Sequence, residues 1–134
     1  MAKVYMVGAM KGGVGKTVTV FNLAYSLHKK DMRVLAVDFD PQSNLTTCLG
    51  AEDVDVAIGD LILNMIEDEE LPEREEYIWE RNGVDFIPAS IGLSAVEAKL
   101  RMEMGTEKML AAILKPLRMN MTISWLILLR LWER

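Results

Sequence analysis

Residues 11 to 17 read Lys-Gly-Gly-Val-Gly-Lys-Thr, and this stretch decides the fold. It follows a short apolar run, Val4 to Ala9, whose β-branched and aromatic members predict a strand. After Thr17 the apolar residues recur with helical spacing, as in Val20, Leu23, Ala24 and Leu27. The stretch is therefore a glycine-rich turn between a strand and a helix that ends near Lys30.

Such a turn can hold a phosphate group through its backbone. Glycines let the chain curl so that several N–H groups converge on one anion, and the N-terminus of the following helix adds its positive end. Lys16 is predicted to contact the β- and γ-phosphates of a nucleotide, and Thr17 to offer its hydroxyl to Mg²⁺. The alternative is an ordinary turn with an exposed lysine, but the flanking strand and helix favour nucleotide binding.

A second strand is predicted directly after this helix. Val34 to Val37 form a continuous apolar run, which is typical of a parallel strand covered on both faces. Strand, helix and strand together make a βαβ unit, whose crossover is right-handed. The predicted fold class is therefore α/β, a parallel sheet of the P-loop type with helices on both faces.

Two carboxylates leave the carboxyl end of the second strand. Asp38 and Asp40 lie where parallel α/β sheets bind ligands. Near a bound metal they would stay ionised and could orient a water molecule. The alternative role for both is a helix cap or a turn.

The rest of the chain predicts four further elements. These are a short helix at Ile58 to Ile66, a strand at Val84 to Ile87, a helix after a capping box at Ser94 and Glu97, and a helix from about Thr106. The acidic run from Glu67 to Glu76 predicts a solvated loop or a frayed surface helix.

The overall composition limits the classes of function. The chain has 134 residues and a formal charge of −5, from 15 basic and 20 acidic residues, so it is not expected to hold nucleic acid by itself. No apolar run is long enough to span a bilayer. The single cysteine, Cys48, cannot form an internal disulfide, which fits a cytoplasmic protein.

The phosphate loop departs from the standard phosphate-loop pattern at its first position. Where the standard loop has a glycine five residues before Gly15, this chain has Met10, followed by Lys11. The stretch resembles the deviant Walker A loop of the ParA/MinD (Soj-like) ATPases, which carries an additional signature lysine at the Lys11 position. Residues 38 to 44, Asp-Phe-Asp-Pro-Gln-Ser-Asn, resemble the second motif of the ParA branch. The resemblance extends, less specifically, to about Leu117.

This resemblance implies a role for each matching residue. Lys11 would reach across a nucleotide-sandwich dimer to the phosphates on the other subunit, Asp40 would organise the attacking water and the Mg²⁺ shell, and Asp38 would support that shell. The implied catalytic residues are Lys11, Lys16 and Asp40, and the implied metal residues are Thr17, Asp38 and Asp40. The implied nucleotide-binding residues are Lys11, Gly12, Gly13, Val14, Gly15, Lys16, Thr17 and Val18. Family members usually have threonine where Val18 stands, so we expect weaker binding of the α-phosphate.

The implied function is ATP-dependent dimerisation followed by slow hydrolysis, with Mg²⁺, in plasmid or chromosome partitioning. The implied partners are ATP and a second copy of the chain. A partition partner protein and non-specific DNA would be reached only through elements that this chain lacks. One alternative is a nucleotide-binding fragment without turnover. The other is a MinD-like membrane-associated division regulator, but no membrane contact is expected because residues 125–134 are too short and too uniformly apolar for an amphipathic helix.

The family pattern stops near residue 118, which divides the chain into an N-terminal half-domain, 1–118, and an atypical apolar tail, 119–134. The tail itself predicts a buried helix or strand, or an exposed apolar segment. A shift of one base offers another explanation: the codons of Met119 and Asn120 then give glutamate, and those of Met121 and Thr122 give aspartate. With permitted codon choices the shifted frame spells D-E-Y-D-Y-I-L-V-D-T-P-P, which resembles the family's Walker B strand. We therefore expect the tail to be out of frame.

Overall fold

The computed structural model describes residues 3–9, 15–102, 108, 111–115 and 125–131. The strands in these ranges are Lys3–Ala9 (β1), Val34–Phe39 (β2), Trp79–Arg81 (β3), Val84–Ile87 (β4) and Trp125–Leu131 (β5). The helices are Lys16–His28 (α1), Asn44–Cys48 (α2), Ile58–Ile66 (α3), Arg74–Tyr77 (α4) and Leu93–Met102 (α5). Residues 111–115 are also helical. None of the helices in the described ranges has the length and apolar character needed to cross a membrane.

The strands form one sheet in the order β1-β5-β2-β4-β3. Strands β1, β5, β2 and β4 are parallel to one another, and β3 pairs antiparallel with β4. Asn82 and Gly83 both have positive φ in the turn between β3 and β4, as a tight hairpin turn of the favoured twist requires. The predicted α/β fold is confirmed, with an antiparallel edge strand that makes the sheet mixed.

Strand β2 shows why helices cover both faces of the sheet. All six of its residues are buried. Leu35, Val37 and Phe39 pack with α3, α5 and the helical residues Ile113 and Leu114. Val34 and Ala36 point to the other face and pack with α1 and α2. Because side chains alternate along a strand, Asp38 belongs to the face that α1 and α2 cover.

The apolar segment at residues 125–131 is a strand, which was one of the alternatives for the tail. It lies between β1 and β2 and is parallel to both. In this position its backbone pairs on both sides, so the sheet is continuous from β1 to β3.

Helix α5 does not begin where the sequence predicts. The helix starts at Leu93, so Ser94 lies inside its first turn and the predicted capping box at Ser94 and Glu97 is wrong. Leu93 is fully buried, and its N–H donates to the carbonyl of Ser90 at 3.1 Å. The helix therefore starts two residues earlier than it would with Ser94 as its N-cap.

Candidate functional site

The ends of β1 and β2 lie at one edge of the sheet. Gly8 in β1 and Phe39 in β2 are both in register with Arg130 of the intervening strand β5. With strands about 4.8 Å apart, these two positions are separated by roughly 10 Å. The loop that follows β1 and the carboxylates that follow β2 therefore leave the sheet side by side, where α/β proteins bind their ligands.

Helix α1 presents an uncapped N-terminus at this edge. Gly15 precedes it with φ of 78°, a left-handed conformation that favours glycine. The first turn has no acidic residue, and no side chain caps the helix. The N–H groups of Lys16, Thr17 and Val18 have no acceptor within the helix, because the first intrahelical bond runs from Thr19 N–H to the Gly15 carbonyl at 2.9 Å. This arrangement suits an anion.

The structure describes the predicted loop residues only in part. Lys11, Gly12, Gly13 and Val14 lie outside the described residues, and Lys16 is placed only by its backbone, as the first residue of α1. Thr17 is half-buried in the first turn of α1, and the Val18 side chain is 61% exposed. The roles of the loop residues towards phosphate remain predictions.

Asp38 is fully buried, and its two carboxylate oxygens have different surroundings. Oδ2 accepts hydrogen bonds from the N–H of Thr46 at 2.9 Å and from its Oγ1 at 2.6 Å. Among the described residues, Oδ1 has no hydrogen-bond partner. The pKa of Asp38 is raised from 3.8 to about 6, chiefly by burial and in smaller part by the neighbouring Asp40, while the hydrogen bonds from Thr46 oppose the shift. At neutral pH the carboxylate is still roughly nine-tenths ionised.

Asp40 is also buried, and it begins the turn that leads into α2. Its Oδ1 accepts a hydrogen bond from the Gln42 N–H at 3.0 Å, and its carbonyl accepts one from the Ser43 N–H at 2.9 Å. Ser43, with φ of 58°, then precedes α2 in a left-handed conformation. Asp40 thus has the turn-forming role that was its alternative.

The donors at this edge fit Mg²⁺ bound together with a nucleotide. Within the described part of the chain, no three His, Cys, Asp or Glu side chains are grouped so that they could hold a metal alone. Mg²⁺ in nucleotide sites is usually held by one or two carboxylates, waters and the phosphates themselves. A buried carboxylate oxygen without a partner, Asp38 Oδ1, is a suitable donor for such a shell.

Sequence reasoning missed the part of Thr46 in this site. Thr46 lies in α2, a helix of five residues that is too short to show a helical apolar period. Its Oγ1 also accepts a hydrogen bond from the N–H of Ala89, just after β4, at 2.9 Å. A threonine soon after Asp38 and Asp40 was the available signal, but nothing in its spacing identified its partners.

The sequence matches the family profile of the AAA domain over residues 2–125. A probable plasmid-partitioning protein ParA from Thermus thermophilus is 39% identical over 101 residues, which are 75% of this chain and 30% of that protein. The sporulation initiation inhibitor protein Soj of Bacillus subtilis is 35% identical over 122 residues, covering 90% of this chain and 47% of Soj. This chain therefore spans about half the length, or less, of these relatives.

Comparison with solved structures indicates the same family. Apo McdA from Cyanothece superposes with a TM-score of 0.82 at 30% identity, over all of this chain and 51% of McdA. Cobyrinic acid a,c-diamide synthase from Mycobacterium smegmatis, with a bound ATP analog and magnesium, also gives 0.82 at 30% identity, over 96% of this chain and 50% of the synthase. Together with the profile match, these likenesses show that the chain belongs to the AAA-domain family and is the N-terminal half of a ParA/MinD-type P-loop ATPase.

Proposed function

We propose that this chain is the nucleotide-binding half of a partitioning ATPase. It binds ATP with Mg²⁺ at the edge formed by the ends of β1 and β2. In the complete ATPase this half serves nucleotide-dependent dimerisation and slow hydrolysis in plasmid or chromosome partitioning. The observation that carries the proposal is the uncapped start of α1 after Gly15, beside the buried carboxylates of Asp38 and Asp40.

Each residue has a role in this proposal. The backbone from Gly12 to Val18 and the Lys16 ammonium bind the phosphates, while Thr17 and the two aspartates complete the Mg²⁺ shell. Asp40 orients the attacking water, and Lys11 reaches the phosphates bound by a second copy. The relatives support the nucleotide and the process: the synthase structure contains an ATP analog and magnesium, and the Thermus thermophilus relative is named as a plasmid-partitioning protein.

Calorimetric titration of the 134-residue chain with MgATP tests the site. Lys16→Ala should weaken binding by about tenfold or more, because a charge-assisted hydrogen bond contributes roughly 1.5–3 kcal/mol. Lys29→Ala is the matched control, since it removes the same charge from the exposed C-terminal cap of α1. Circular dichroism verifies that both variants fold. Equal affinities for Lys16→Ala and Lys29→Ala would contradict the proposal.

One observation favours the alternative of a nucleotide-binding chain without turnover. Strand β5, which lies between β1 and β2, reads Trp-Leu-Ile-Leu-Leu-Arg-Leu and so brings no carboxylate to the centre of the sheet. Hydrolysis in the isolated chain would then depend on Asp40. If Asp40→Ala leaves the measured phosphate release unchanged, the chain binds without hydrolysing.

We also propose that the codons from about Met119 are read out of frame, as the forced shifted codons suggest. Sequencing the gene from the codon of Ile113 onward tests this. A one-base displacement that restores D-x-P-P and an open frame would support it. The absence of any such frame would make the present sequence of β5 the native one.

A further inference from the structure

Thr46 is a buried polar residue whose hydroxyl both donates and accepts a hydrogen bond. Only 4% of Thr46 is exposed. Burial of a hydroxyl group costs free energy of folding unless the group is hydrogen-bonded. Oγ1 donates to Asp38 Oδ2 at 2.6 Å and accepts from the Ala89 N–H at 2.9 Å. One side chain thereby connects Asp38, near the end of β2, with Ala89, the second residue after β4.

The backbone sets the direction of this chain of hydrogen bonds. The Ala89 N–H can only donate, so it occupies a lone pair of the Thr46 hydroxyl. The single hydroxyl proton is then left for Asp38, and the Thr46 N–H donates to the same oxygen at 2.9 Å. Because the Ala89 N–H occupies one lone pair of the hydroxyl, the hydroxyl proton is directed towards Asp38.

As a consequence, the two carboxylate oxygens of Asp38 differ in their hydrogen bonding. Two donors converge on Oδ2, and the shorter bond has the length expected of a charge-assisted hydrogen bond. These two bonds fix the rotation of the carboxylate about its χ2 angle. Oδ1 is left buried and without a partner among the described residues. A structural capping role would be served by Oδ2 alone and gives no account of a buried, unpaired Oδ1.

We propose that Thr46 is a positioning residue for the nucleotide site: it holds Oδ2 of Asp38 so that Oδ1 remains available to the Mg²⁺ shell. This inference rests on the proposed function. Thr46 has no contact with nucleotide in this role and acts only through Asp38. Partners of this kind, one step removed from a metal, typically change metal affinity by about 10–100-fold when removed.

The test is a Mg²⁺ titration of the ATP-loaded 134-residue chain, followed by the rise in Tm. Thr46→Val keeps the shape and the backbone N–H but loses the hydroxyl, whereas Thr46→Ser keeps the hydroxyl. We expect Thr46→Val to bind ATP in EDTA as the wild type does, and to need at least about tenfold more Mg²⁺ for the half-maximal rise. Thr46→Ser should stay near the wild type. An unchanged Mg²⁺ midpoint in folded Thr46→Val overturns the proposal.

A second measurement does not depend on the folding of Thr46→Val. The ¹³Cγ resonance of Asp38 in the wild type, assigned by its loss in Asp38→Asn, should move when Mg²⁺ is added to the ATP-loaded chain. A resonance that stays in place overturns the positioning role. If the wild type binds no ATP even with excess Mg²⁺, the proposed function itself fails and the role of Thr46 fails with it. That result differs from ATP binding in which Thr46→Val has no effect on the Mg²⁺ midpoint.

Discussion

The imidazole ring of His28, the last residue of α1, lies directly against Gly83 in the turn between β3 and β4. Gly83 has φ of +88°, and a Cβ atom at this position would collide with the ring. Nearby, the Tyr25 hydroxyl donates to the carbonyl of Arg81 at 2.9 Å. The hairpin is thus packed closely against the end of α1, and a side chain at position 83 would require the His28 ring to move.

Gly83→Ala should therefore destabilise the chain by more than its backbone conformation alone explains. The left-handed conformation costs roughly 1–2 kcal/mol, and the collision with His28 adds to it. Gly50→Ala is the matched control: its φ is +80°, but its Cβ would meet the nearest atom, in Arg81, at an ordinary 3.5 Å. Urea unfolding gives both free energies. Equal losses for the two variants, or no recovery of Gly83→Ala when His28→Ala is added, would contradict this account.

The raised pKa of Asp38 predicts how stability varies with pH in metal-free buffer. The folded pKa of about 6 lies above the unfolded 3.8, so the folded state binds the additional proton between these values. This group therefore contributes more to the free energy of unfolding at low pH, and its contribution disappears as the pH rises through about 6. We expect a loss of about 2 kcal/mol from about pH 4.5 to about pH 7. Asp38→Asn should abolish this pH-dependent loss of stability, as measured by urea unfolding in the presence of EDTA. If the wild type and Asp38→Asn show parallel pH profiles, the raised pKa of Asp38 is contradicted.

Val18→Thr should strengthen binding of MgATP. The Val18 side chain is 61% exposed in the first turn of α1, so the substitution disturbs no packing there. A new hydroxyl hydrogen bond to the α-phosphate would contribute roughly 0.5–1.5 kcal/mol, which is about twofold to tenfold in affinity. Calorimetric titration measures the gain. Val18→Ala serves as the control, and a gain of the same size in that variant would exclude the hydroxyl as its cause.

The elements that the sequence predicted are those with a long or purely apolar pattern. The helix at Ile58–Ile66 and the strand at Val84–Ile87 were predicted with the bounds that the structure has. Strand β3 was missed because it has three residues and two of them are exposed, although Asn82-Gly83 is a recognised hairpin signal. A short strand depends on pairing with its neighbour, and periodicity does not reveal that.

The candidate site was predicted to a similar extent. The carboxylates Asp38 and Asp40 could be identified because they follow a buried strand directly in the sequence. The bonds of Thr46 could not, because one partner lies eight residues away across a turn and the other, Ala89, lies 43 residues away. Such contacts depend on how β2, α2 and β4 come together. The roles of Lys11 to Val14 rest on the sequence alone.

The position of β5 has a consequence for how the chain folds. Lys3 in β1 is in register with Trp125, and Val34 in β2 is in register with the same residue. Every other described strand precedes β5 in the sequence, so β1 has no neighbour in the sheet and β2 has one open side until residues 125–131 are available. Contacts between such distant residues form slowly, and open strands can pair with other molecules in the meantime. The nascent chain should therefore be most prone to aggregation just before its last strand is added.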